Sequence, residues 1–194
     1  MATYLEFEVS LLGVEPRIWR RFLIAGGATF LDLHNAIQAA CGWENKHIYQ
    51  FRDRESGRII AGRGHHEPGQ DKMHPAAEAV SLRSYFQKDQ DQCLYWYDPG
   101  DNWEHVVELK KVAELAEGFF QRLTGGARAF PLEHCGGVVG YRRCLRALGV
   151  SGQEAAGPEG AAGARLESLR AWIEKSKWQP ERFDLLVVKQ AFDR

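Results

Sequence analysis

Charge of one sign is what this sequence most lacks. Lysine and arginine number 25 against 26 aspartates and glutamates, a formal net charge of −1. That balance argues against a surface coated for nucleic acid, although it leaves room for a local basic face. Cysteine is scarce too: Cys41, Cys93, Cys135 and Cys144 lie far apart, and none belongs to a C-x-x-C pair. Zinc-ribbon and thioredoxin-type motifs are thereby excluded. No apolar run approaches the length of a membrane span, and the N-terminus shows no basic segment followed by an apolar one. These gaps lead us to expect a cytoplasmic protein with reduced thiols and no membrane partner.

What is present suits one packed domain over residues 1–194. The hydrophobic fraction is 44% and there are six tryptophans, enough for a single core. Residues 4–12 alternate, with Leu5, Phe7, Val9 and Leu11 opposite Glu6, Glu8 and Ser10, which predicts a half-buried strand. Gly13 to Pro16 break it, and residues 18–24 alternate again, so the two form an antiparallel hairpin. Thr29 with Asp32 three positions on predicts a helix start. Leu33, Ile37, Ala40 and Cys41 give its apolar stripe, and Gly42 its stop. Further strands are expected at 47–52, 92–97 and 103–111. Helices are expected at 81–86, 112–123, after Gly136-Gly137, and from Leu166 to Ile173. The polar, Gly- and Pro-containing stretch near 62–79 reads as a mobile loop, and the Gly/Ala-rich stretch near 149–164 as a flexible linker. The apolar run at 183–188 is expected to dock on the core. Hairpins with interspersed helices, and no regular strand–helix alternation, indicate α+β with a mainly antiparallel sheet.

Three clusters carry chemistry. Tyr97-Asp98-Pro99-Gly100-Asp101-Asn102-Trp103-Glu104-His105 gathers carboxylates and an imidazole around a Pro-Gly turn. Asp98, Asp101 and His105 are candidate ligands for a divalent metal, since oxygen donors with imidazole suit Mn, Zn or Fe. Strand parity puts Trp103, His105, Val107 and Leu109 on one face and Glu104, Val106 and Glu108 on the other, so Glu104 and His105 diverge. The competing reading makes Asp98 and Asp101 turn-formers and His105 a packed residue. In the second cluster, Glu133-His134-Cys135-Gly136-Gly137, Glu133 is a candidate general base. Cys135 stands at a helix start, where a thiol is either activated or simply buried. In the third, Arg17, Arg20 and Arg21 flank Trp19, while Arg142, Arg143 and Arg146 leave the apolar stripe of their helix. Arginine beside an aromatic suits phosphates and bases, but is also common on a solvated face. The histidines His65, His66 and His74 fit no zinc spacing, and His34 and His47 read as packed residues.

Several of these segments together resemble the Ri-plasmid ORF-three-like protein family. They are the stretch from Val9 through Trp19 to Arg21, Leu33-His34 through Gly42-Trp43 to His47 and Phe51, the turn at 97–105, the corner at 131–141, and Trp178-Gln179-Pro180-Glu181-Arg182-Phe183-Asp184. The resemblance covers nearly the whole chain and implies an α+β domain, without supplying a reaction. Two motifs depart from the family form: Pro99 stands where the family usually has phenylalanine, and His134 where it usually has aspartate. No serine-recombinase or helix-turn-helix pattern accompanies the resemblance.

The reading that follows is a non-catalytic binding or interaction module, tied to plasmid or mobile-element biology. Its working surface is expected where the 97–105 turn meets the 131–141 corner, and its partner is protein or nucleic acid. One alternative is a metal-assisted hydrolase with Asp98, Asp101 and His105 as ligands and Glu133 as base. Another is nucleic-acid binding through Arg17, Trp19, Arg20, Arg21, Arg142 and Arg146.

Overall fold

The alternation at the N-terminus becomes β1 (Ala2–Leu11), which pairs antiparallel with β2 (Trp19–Ala25) and, on its other side, with β6 (Trp103–Leu115). The remaining strands are β3 (Tyr49–Asp53), β4 (Ile59–Arg63), β5 (Gln92–Tyr97) and β7 (Gln121–Ala127). The computed structural model describes residues 1–63, 75–87, 90–150 and 161–194. Within it the seven strands form one antiparallel sheet in the order β4-β3-β5-β6-β1-β2-β7. With its helices this is an α+β architecture, as the pattern of hairpins requires.

Among the described residues five α-helices accompany the sheet: α1 (Phe30–Cys41), α2 (Leu82–Tyr85), α3 (Gly137–Ala147), α4 (Ala161–Ser176) and α5 (Leu185–Phe192). α1 begins where expected. The Thr29 side chain accepts from the Asp32 backbone while Asp32 returns a bond to the Thr29 backbone, satisfying two otherwise orphaned donors. It ends at Gly42 in the left-handed region, φ +74. Its buried face lies over the sheet, where Phe30 meets Phe51 at 4.9 Å and His34 stacks on Tyr49 at 3.5 Å. α5 covers the β2 end, with Phe192 against Phe22 at 5.2 Å. Fully buried rings such as these contribute roughly 2–3 kcal/mol each by loss of apolar surface to water. The other sheet face is ionic: Glu8 accepts from Arg17 at 2.8 Å and from Arg21 at 2.5 Å.

Several elements differ from expectation. Residues 112–123 form no helix; β6 runs on to Leu115 because β1 pairs with it as far as Ala2, and β7 starts at Gln121. The glycine pair at 125–126 therefore lies within a strand. A Cβ on Gly126 would stand 2.6 Å from the Phe183 ring and 2.9 Å from Arg20 Cδ, so the missing side chain makes room for theirs. Ser81 precedes α2 without a side-chain cap bond. β4 and a 3-10 turn at Ala77–Ala79 occupy the two ends of the expected 62–79 loop, whose residues 64–74 lie outside the described set. Of the expected linker, 151–160 lie outside that set, and 161–164 belong to α4. Of the apolar run at 183–188, Phe183 and Val188 pack on the core, whereas Leu185, Leu186 and Val187 are exposed; Phe192, beyond the run, is buried.

Candidate functional site

Three loops meet at one end of the sheet: residues 43–48 after α1, the β5–β6 turn at 98–102, and residues 128–136 before α3. Each is tied to another through side-chain to backbone bonds. Trp43 Nε1 donates to the Pro131 carbonyl at 2.9 Å. Glu133 accepts from the Tyr97 hydroxyl at 2.6 Å and from the Glu44 amide at 2.6 Å. Tyr97 in turn accepts from the Lys46 amide at 3.1 Å. Burial first, and the Glu133 bond second, push the Tyr97 phenol well above its ordinary value, so it stays protonated and donating.

The turn at 97–105 divides as strand parity requires. Asp98 Oδ1 accepts from Gly100 N at 2.9 Å, and its carbonyl accepts from Asn102 N at 2.6 Å, both closing the turn. Asp101 reaches instead to the next loop, accepting from Gly136 N at 3.1 Å. Here Gly137, φ +66, has no room for a side chain, because a Cβ would fall 2.2 Å from the Asp101 carbonyl oxygen. His105 points the other way, fully buried between Trp43 and Phe130. The expected metal set of Asp98, Asp101 and His105 is therefore not brought together. Two of the three hold backbone and the third is packed in the core.

A different set converges. His47, Glu133 and His134 each offer one ligand atom within 4.8 Å of the others, the group of this kind found among the described residues. The His47 and His134 rings approach edge to face with centroids 5.0 Å apart. Asp98 Oδ2 lies 3.5 Å from His47 Nε2. Sequence reading had each of these residues separately, but no spacing rule links positions drawn from three loops.

The arginine groups also separate. Arg20 is buried, donating to the carbonyls of Ala40 at 3.1 Å, Trp19 at 2.8 Å and Ala127 at 3.2 Å, with its guanidinium over Phe130 and Phe183. It cannot reach a phosphate from there. Arg17 and Arg21 share Glu8, which cancels part of their charge, and Trp19 lies under Arg21 at 5.4 Å. Arg142 donates to the Gly13 carbonyl at 3.0 Å, while Arg143 is exposed and Arg146 lies on the same helix. The interaction with Cys144 and burial push the Cys135 thiol up, the opposite of the activation a nucleophile needs.

Burial pushes both interior imidazoles, His34 and His105, down to about 4. Bonds to Asn45 and the Tyr95 carbonyl offset only part of this. Because the native pKa lies below the unfolded value near 6.5, stability is present above that value and is lost as pH falls toward 4. Each buried histidine should steepen the fall by up to about 1.4 kcal/mol per pH unit in this window. Urea unfolding at pH 7, 6, 5 and 4.5 checks it: His105→Leu should flatten the slope by about 1 kcal/mol per unit. Parallel slopes would show that His105 titrates alike in the folded and unfolded chain, so that burial does not depress it.

The fold and corner define a class: an antiparallel α+β protein whose loops at one end of the sheet are stitched together by hydrogen bonds. The chain belongs to the plasmid pRiA4b ORF-3-like protein family, whose model matches residues 3–187. It is 32% identical over 149 residues to the uncharacterized protein y4hQ of Sinorhizobium fredii, covering 76% of this chain and 74% of that one. It is also similar to the crystal structure of the protein of unknown function MM3350 from Methanosarcina mazei Go1. That match has a TM-score of 0.77 and 29% identity, over 96% of this chain and 98% of that chain. Among the described residues, no helix is long and apolar enough to cross a membrane.

Proposed function

We propose that this protein is a non-catalytic binding module, and that its working surface is the corner formed by residues 43–48, 98–102 and 131–136. One observation carries this reading. Among the described residues, six non-glycine residues have left-handed backbone: Asn45, Asp98, Asn102, Arg128, His134 and Lys177. The first three and His134 all stand at this corner. Left-handed backbone costs about 1–2 kcal/mol per ordinary residue, less for Asn and Asp, and such strain persists where a surface must be held in one shape. Glu133 supports the same view, since both its oxygens accept hydrogen bonds that fix its position at the corner. The plasmid reading frame that names the family supports a role in plasmid or mobile-element biology.

The test is site-specific photo-crosslinking in cells expressing the full chain, with the reactive side chain at Lys46, exposed on the 43–48 loop, and, as a control, at Leu186. Leu186 is 71% exposed but lies on α5. The expected result is a discrete adduct by intact-mass spectrometry at position 46 and none at 186. No adduct at 46, or equal adducts at both, would remove the corner as the working surface.

A further inference from the structure

We propose that His47, Glu133 and His134 form a site for a divalent transition-metal ion, Zn²⁺ in particular. The proposal rests on the reading of the corner as the binding surface and names a ligand for it. The donor atoms lie within 4.8 Å of one another. Zinc bonded at ~2.0–2.1 Å in tetrahedral geometry needs donors about 3.3 Å apart, so the widest pair closes by about 1.5 Å at most. His134 is exposed at the loop surface and supplies that movement by side-chain rotation.

The surroundings match what such a site requires. His47 Nε2 is sealed from solvent and has no hydrogen-bond partner, while Asp98 Oδ2 stands 3.5 Å away. A metal-ligating histidine commonly has a carboxylate beside its ring to orient it, and Asp98 stands in that place. Asp98 is itself held by its bond from Gly100 N. Glu133 is oriented by the Tyr97 hydroxyl and the Glu44 amide, and a carboxylate oxygen that accepts one hydrogen bond still has a lone pair for a metal. Two imidazoles with one carboxylate suit zinc and its transition-metal neighbours; Mg²⁺ and Ca²⁺ favour sets built from oxygen alone. Three protein donors leave a fourth position open beside exposed His134, where water or a ligand's donor atom completes the shell.

The experiment is calorimetric titration of the untagged full chain, first stripped with chelator, using ZnCl₂ and, separately, MgCl₂. A CoCl₂ titration followed by absorption reports the coordination. The expected result is one zinc per chain, no saturable magnesium binding, and a cobalt spectrum without a thiolate charge-transfer band. His47→Ala and His134→Asn should each weaken zinc by more than about 100-fold, and Asp98→Asn by about 10-fold. Asparagine suits both left-handed positions, and unchanged near-UV circular dichroism confirms that each variant is folded. A His65→Ala/His66→Ala/His74→Ala triple variant should bind zinc as the parent does. Sub-stoichiometric zinc, binding that survives His47→Ala and His134→Asn, or binding lost in the triple variant would each overturn the site. The two readings fail separately. Absent zinc with a persisting crosslink at 46 leaves the binding module standing, and bound zinc with no crosslink at 46 removes the module reading alone.

Discussion

Gly140→Ala is expected to destabilise the protein by about 3 kcal/mol and to abolish the crosslink at position 46. A Cβ at Gly140 would fall 1.7 Å from the Cys135 carbonyl oxygen and 2.5 Å from its carbon. Both are backbone atoms, so no side chain can rotate away. The loop before α3 must lift instead, and that loop carries Glu133, His134 and the Gly136 amide bonded to Asp101. In an open helix the same substitution would stabilise by roughly 0.5–1 kcal/mol, so the sign of the result separates the collision from helix propensity. Urea unfolding measures it. A stability equal to or above that of the parent would show that the chain relieves the overlap without moving the corner.

Arg20→Met is the second large effect, a loss of about 3–4 kcal/mol. Methionine keeps an unbranched apolar stem but donates nothing to the carbonyls of Ala40, Trp19 and Ala127, and it gives up the guanidinium lying over Phe130 at 4.9 Å and Phe183 at 4.4 Å. Burial lowers the Arg20 pKa to about 10, which still leaves it charged at neutral pH. Its charge is therefore accommodated by carbonyl dipoles and ring faces, and these bind the end of α1, strand β7 and the segment holding Phe183 into one unit. Arg20→Lys should recover only part of the loss, because an ammonium cannot present the planar fork that reaches separate carbonyls. A change below about 0.5 kcal/mol for Arg20→Met in denaturant unfolding, the range of ordinary surface substitutions, would return Arg20 to the solvated surface.

These two residues also mark where sequence reading stops. Arg20 follows Trp19 and precedes Arg21 in a strand, and alternation alone put it on the side of Phe22 and Ile24. That parity was informative, since the Phe22 face is the buried one, yet an arginine there reads more readily as a cation for phosphate than as an interior brace. The stretch at 112–123 misled in another way. Its residues allow a helix, but pairing of 112–115 with β1 and of 121–123 with β2 holds both ends extended. Local propensity is a weak prior wherever a long partner strand is available to satisfy the backbone.

The 97–105 turn was legible in its details. Glu104 and His105 diverge, Asp98 closes the turn on itself, and His105 packs among aromatics. Its ability to gather a metal set was not, because Asp101 turns toward Gly136 while the nearby imidazoles come from other loops.

By itself, then, the sequence determined whatever depends on neighbours a few residues apart. It set the half-buried alternation of β1, the Thr29–Asp32 start and Gly42 stop of α1, the face assignment of β6, and the α+β class that such hairpins and helices imply. Tertiary structure alone decided that Arg20 is enclosed, that residues beyond 111 continue a strand, and that His47, Glu133 and His134 share one corner. The physical reason is the range of the forces involved. Capping and periodicity act through bonds of three or four residues' span, whereas the corner is set by sheet pairing and loop-to-loop hydrogen bonds between segments far apart in the chain.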